Sequence, residues 1–119
     1  IKRYPIALGN NPVGKKTREG DGRTPEGRYI IDARNDDSIY HLSLRISYPG
    51  PEDVKNARQQ GHDPGKDIFI HGLPNGKSWQ WWKYNTDRDW TQGCIAVSNE
   101  AIEELWSLIT DGTPIIIQP

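Results

Sequence analysis

The sequence predicts a mainly β domain, a sandwich or barrel with a few helices on its periphery. Three observations point there. The 119 residues include 12 glycines and 9 prolines, a density that marks many turns between short strands. The stretch IYHLSLRI, residues 39–46, alternates: Tyr40, Leu42, Leu44 and Ile46 share one face, and His41, Ser43 and Arg45 the other. That is the period of a half-buried strand. One clear helical stripe is present, with Ile102, Leu105, Trp106 and Ile109 at i, i+3, i+4 and i+7.

The elements follow in order. IKRYPIAL, residues 1–8, reads as a strand. Residues 9–27, GNNPVGKKTREGDGRTPEG, are dense in Gly, Pro, Asn and Asp and read as a long loop. RYIIDA, residues 28–33, is a short strand, and the alternating strand comes next. PEDVKNARQQG, residues 51–61, fits one or two helical turns closed by Gly61, and DIFI, residues 67–70, is a buried strand that delivers His71 and Gly72 at its end. Residues 73–90 mix aromatic and turn residues. CIAV, residues 94–97, is a buried strand, and Ser98 or Asn99 caps the helix behind it. Asp111-Gly112 ends that helix, and PIIIQ, residues 114–118, closes the chain as a fully buried strand. No repeat or low-complexity linker divides the chain, so residues 1–119 form a single domain. The chain starts at Ile1 and has no methionine, which is read as the mark of a piece trimmed from a longer protein, its N-terminal part missing.

Composition excludes several function classes. The formal net charge is −1, so nothing attracts nucleic acid or an acidic membrane wholesale. No apolar run approaches the roughly 18 residues of a membrane span. No C-x-x-C or H-E-x-x-H spacing is present, nor a phosphate-binding glycine pattern, so neither a metal nor another cofactor is expected. With a single cysteine there is no internal disulfide framework.

That cysteine, Cys94, sits in DWTQGCIAV, residues 89–97. A lone Cys serves as a small buried hydrophobe or as a nucleophile. Nucleophilic work requires a base and donors for the developing oxyanion. Gly93 lets the backbone turn tightly and bare its N–H groups, and His71 lies 23 positions upstream beside Gly72. By itself His71 reads as a partly buried sheet histidine. IHG and TQGC together place two reactive side chains beside glycines at strand ends. His41, on a polar strand face, and His62, in the loop QGHDPG, are weaker candidates. Between His71 and Cys94 lie Trp79, Trp81, Trp82, Tyr84 and Trp90. They read either as a small satellite core or as an aromatic wall beside the thiol. The mixed charges of this loop, Lys77, Lys83, Asp87, Arg88 and Asp89, read as solvated.

IFIHG followed by TQGCIAV resembles the H-G … [S/T]-x-G-C signature of the YkuD-type L,D-transpeptidase catalytic domain. GDGRTPEGRYII resembles that family's G-x-x-T-P-x-G strand entry, ISYPG and GKDIFIHG its approach to the histidine, and GTPIIIQP its last strand. The resemblance spans nearly the whole chain. It implies a YkuD-like β-sandwich or barrel, located in the periplasm or otherwise outside the cytoplasm, with peptidoglycan stem peptides as partners. It further implies Cys94 as nucleophile, His71 as base and the Gly72 carbonyl as the group orienting the ring. Main-chain groups around Gly93, with Thr91, would hold the oxyanion, and Gln92, Trp90 and Tyr48 would contact substrate. The reaction implied is acyl transfer at meso-diaminopimelate through a Cys94 thioester.

Three departures stand out. Gln92 occupies a position where His or Lys is frequent, Ala96 one where Arg or Asn is frequent, and the His-to-Cys interval is long. They keep alternatives open. One is a hydrolase or amidase that trims stems or releases a lipoprotein attached to peptidoglycan. Another is an inactive peptidoglycan-binding module. Apart from these departures, a zinc hydrolase using His41, His62 or His71 is a third class. An imidazole beside the thiol is also expected to depress its pKa.

Overall fold

The computed structural model describes residues 2–85 and 89–119, leaving the side chains of Trp79 and Tyr84 undescribed. Five strands form one curled mixed sheet: β1 (Gly27–Ser38), β2 (His41–Ile46), β3 (Phe69–His71), β4 (Ile95–Ala96) and β5 (Pro114–Ile117). Their spatial order is β4-β3-β2-β1-β5. Three helices flank the sheet: α1 (Pro51–Gln59), α2 (Trp79–Asn85) and α3 (Asn99–Leu108). The mainly β prediction with peripheral helices holds.

The β1–β2 hairpin is the longest antiparallel pairing, with Ile31 opposite Ile46 and Arg34 opposite Leu44. β3 joins β2 antiparallel, pairing Ser43 with His71 and Leu44 with Ile70. β4 joins β3 in parallel, pairing Ile70 with Ile95 and His71 with Ala96. Because side chains alternate along a strand, these registers sort the sheet into two faces. Leu44, Ile70 and Ile95 belong to the main core, with Ile31, Ile46 and Ile102. Ser43, His71 and Ala96 take the other face.

Helix α3 forms as its stripe predicts. The Ser98 hydroxyl accepts the Ala101 N–H as N-cap, Ile102 is fully buried, and Leu105, Trp106 and Ile109 pack on the core. In α1, Gly50 precedes Pro51 at the first turn, and Asp53 Oδ2 accepts both the Gly50 N–H at 2.9 Å and the Tyr29 hydroxyl at 2.8 Å.

Several expectations are corrected. Residues 1–8 form no strand over the described part: Ala7 makes an isolated bridge to Ala96, and Gly9 one to Thr91. The segment lies along the β4 edge without laddering, and Ala7 is fully buried there. β1 runs to Ser38, well past Ala33, because its polar half is paired by β2. β2 begins only at His41, whose φ of 72° turns the chain, so Tyr40 does not continue the apolar face of Leu42, Leu44 and Ile46. β5 is not fully buried: as the sheet's edge it pairs with β1 alone and exposes Pro114 and Ile116 in alternation. Residues 79–85, read as part of an aromatic loop, form α2.

Candidate active site

β3 delivers His71, and three hydrogen bonds fix it and the following two residues. Gly72 N–H donates to Tyr40 O at 2.9 Å, Leu73 N–H donates to Asn99 Oδ1 at 2.8 Å, and Val97 N–H donates to His71 O at 2.9 Å. A Cβ on Gly72 would lie 2.5 Å from Asn99 Oδ1 and 3.0 Å from Tyr40 O, so any side chain there collides. The His71 ring is buried, with Nδ1 2.7 Å from its neighbour's carbonyl, Gly72 O. A carbonyl only accepts, so Nδ1 carries the proton and Nε2 is left as the basic nitrogen. Burial lowers the His71 pKa, and the Gly72 contact offsets this only in part. The ring is therefore neutral near pH 7. Tyr40 stacks on it, with centroids 4.2 Å apart and planes 23° apart, and Trp90 tilts against both at 5.9 and 6.3 Å.

The turn before β4 carries the thiol. Gly93 has φ +133°, and a Cβ there would also lie 2.9 Å from Arg23 O, so two independent reasons demand glycine. The Thr91 hydroxyl braces the turn: it accepts the Gly93 N–H at 3.1 Å and donates to Cys94 O at 2.7 Å. Cys94 Sγ lies 3.4 Å from the Phe69 N–H, which donates to it, and 3.6 Å from Asp67 O, to which the thiol donates. Burial pushes the Cys94 thiol up, opposed by the Phe69 N–H and by the Lys16 ammonium. Among the described residues no hydrogen bond joins Sγ to the His71 ring. The depressed thiol pKa expected from sequence is thus not found: desolvation disfavours both charged forms, raising the thiol and lowering the imidazole.

Cys94 and His71 open onto one cleft of about 680 Å³, whose walls include Tyr40, Trp90, Thr91 and Gln92. The loop of residues 9–27 builds the opposite wall. Asp21 organises it: one carboxylate oxygen lies 3.0 Å from Lys16 Nζ and 3.1 Å from the Arg23 N–H, and the other accepts the N–H groups of Thr17 and Arg18 at 2.9 and 3.2 Å. Burial raises the Asp21 carboxyl, but these donors outweigh it and hold its pKa at about 2. Lys16 lines the cleft although only 4% exposed.

Other sequence candidates fall elsewhere. Tyr48, expected to meet substrate, is 5% exposed in the main core, donates its hydroxyl to Pro64 O at 2.6 Å and does not line the cleft. Ala96 is fully buried beside Ala7, so its position faces packing and not solvent. His41 meets Glu103 at 3.0 Å, and His62 lines a separate polar groove. Both aromatic readings find a place: Trp82 is buried in a satellite core with Ala7, Leu73 and Ala96, and Trp90 bridges that core to the cleft. Lys77 and Lys83 are exposed, whereas Asp89 accepts the Leu8 N–H at 2.9 Å and ties down the N-terminal segment. Asp87 and Arg88 lie outside the described residues. Sequence reading missed Lys16, Asp21 and Tyr40. The run KKTREGD contains both members of the ion pair, but nothing local says which of Lys15 and Lys16 turns inward.

Residues 1–117 match the sequence profile of the L,D-transpeptidase catalytic domain. YafK of Escherichia coli (strain K12) is 31% identical over 123 residues, a match covering all of this chain and 41% of that protein. Among solved structures, the helical cell shape determining protein Pgp2 of Campylobacter jejuni matches with a TM-score of 0.69 and 28% identity, over 93% of this chain and 36% of that one. Bd1075 of Bdellovibrio bacteriovorus matches with a TM-score of 0.64 and 26% identity, over 99% of this chain and 38% of that one. The chain thus spans about two fifths of the length of these relatives.

Proposed function

The chain belongs to the L,D-transpeptidase catalytic-domain family, and from that premise we propose that it is a cysteine-dependent acyl-transfer enzyme acting on peptidoglycan stem peptides outside the cytoplasm. One observation carries this reading: the thiol of Cys94 and the ring of His71 line the same cleft, with Nδ1 already committed to Gly72 O. Among the described residues no helix is long and apolar enough to cross a membrane.

The reaction starts with both groups neutral. The thiol leaves Asp67 O and passes its proton to His71 Nε2 as Sγ attacks the carbonyl carbon of diaminopimelate. The Gly72 carbonyl steadies the imidazolium through Nδ1–H. The Cys94 N–H donates to the developing oxyanion, and the Gly93 N–H joins it by leaving the Thr91 hydroxyl. Collapse of the tetrahedral adduct breaks the scissile C–N bond, and the leaving amine takes the proton from Nε2. A thioester remains on Cys94. An incoming amine or water then gives a proton to Nε2 and attacks the thioester; the C–S bond breaks, and Cys94 Sγ takes that proton back from Nε2. Trp90 and Gln92, at the cleft wall, contact the stem.

A defined tetrapeptide stem, incubated with and without an acceptor amine and followed by mass spectrometry, tests this. A crosslinked or amine-exchanged product is the transferase outcome. A trimmed stem, or a lysine-bearing peptide freed from a stem conjugate, identifies the hydrolase branch of the same chemistry. No change in the stem under either condition refutes acyl transfer.

A further inference from the structure

Among the described residues Lys16 is the one buried lysine or arginine on the cleft wall, and the reaction above leaves it unused. Its side chain is 4% exposed, and Asp21, 8% exposed, holds Nζ at 3.0 Å. A buried ammonium has to be compensated, and Asp21 does this while using one of three N–H donors. Asp21 is itself saturated by backbone N–H groups of Thr17, Arg18 and Arg23, so the pair is anchored to the loop and cannot drift. Nζ also lies 3.6 Å from where a Gly93 Cβ would stand, which brings the positive charge against the turn that carries Cys94. The absence of a side chain at Gly93 is what leaves the space between them open.

We propose that Lys16, pinned by Asp21, is a positioning residue whose ammonium stabilises negative charge on the Cys94 sulfur. Among the described residues, the other ionisable groups lining the cleft with that sulfur are Lys16 and Glu19 of the loop, Tyr40 before β2, Lys66 and Asp67 before β3, and His71 on β3. Lys66 and Glu19 are exposed, so water screens them; Asp67, also exposed, raises the thiol and so opposes Lys16, which is itself buried. The neutral ring of His71 adds no charge at rest. Burial alone would suppress the thiolate, and Lys16 moderates that penalty. The inference rests on Cys94 being the reactive group of the proposed enzyme. Its test needs no peptidoglycan substrate, so it can fail independently of that function.

The experiment is the pH profile of Cys94 alkylation by iodoacetamide, read by intact mass on the whole chain. In Lys16→Met the midpoint is expected to move up by roughly one unit, with alkylation at pH 7 about three- to tenfold slower. Lys16→Arg should keep the parental midpoint, and Lys55→Met, on the exposed face of α1, should behave as the parent. Should Lys16→Met fail to fold with Asp21 left unpaired, the double variant Lys16→Met/Asp21→Asn removes both charges and should show the same upward shift. An unchanged midpoint in a folded variant lacking the Lys16 charge overturns the proposal. So does a Lys16→Arg variant that shifts as far as Lys16→Met, which would make Lys16 a packing residue.

Discussion

The two edges of the sheet are built on opposite terms. At the β4 edge, several polar groups are buried and tied: His71 to Gly72, Thr91 to Gly93 and Cys94, Lys16 to Asp21. The strand there is two residues long, and the N-terminal segment closes over it through Ala7 and Ala96. At the β5 edge, a four-residue strand pairs on one side only and leaves Ile116 56% exposed. The contrast teaches where this fold invests its constraints. Rigidity is concentrated around one thiol and one imidazole, and the far edge closes the sheet with little demand on side-chain identity.

Substitutions at the two edges should therefore differ steeply. The largest effect is expected at His71. His71→Ala removes the proposed proton carrier, and stem-peptide turnover should fall by about 10²–10⁴-fold while far-UV circular dichroism is retained. Turnover within a few-fold of the parent would remove His71 from the chemistry. Gly72→Ala comes next, because its methyl would meet Asn99 Oδ1 and Tyr40 O. A loss of about 1–3 kcal/mol in urea unfolding is expected, and parental stability would show that the β4 edge is looser than these distances imply.

Thr91→Val keeps the shape and removes two hydrogen bonds at once, leaving the Gly93 N–H and Cys94 C=O without the hydroxyl. Stability should drop by about 1–3 kcal/mol. A neutral result would mean that the turn holds its form without the brace. Asp21 gives a smaller, pH-dependent effect. Its folded pKa of about 2 lies below the ordinary 3.8, so its contribution is complete above the ordinary value and is lost as pH falls through it toward 2. The urea midpoint of the parent should decline more steeply between pH 4 and 2 than that of Asp21→Asn. Parallel curves would contradict the hydrogen-bond assignment. At the other edge, Ile116→Thr should change stability by no more than about 0.5 kcal/mol. A much larger loss would erase the contrast itself.

Legibility from sequence follows the same division. Period-2 alternation, the α3 stripe and the Ser98 cap are local signals, and each element they mark is present. Alternation misplaced Tyr40, since a positive φ at His41 starts the strand two residues later and turns that ring onto His71. The PIIIQ run reads as buried because three isoleucines carry no information about which strand ends at an edge. Residues 79–85 combine tryptophans with polar residues, and their helix depends on Trp82 entering the satellite core, a tertiary contact. At the site, His-Gly and Gly-Cys were visible as motifs, whereas Lys16 and Asp21 become meaningful only once the loop folds back on Gly93. Tyr48 erred in the other direction: a tyrosine in a plausible motif serves the core.

The most direct test is intact-mass and peptide mapping of the protein quenched during reaction with a stem tetrapeptide. A transient acyl adduct located on Cys94, absent from Cys94→Ala together with all turnover, is the expected result. Stem cleavage or exchange that persists in a folded Cys94→Ala, or an adduct mapped to another side chain, would contradict thiol catalysis in this cleft.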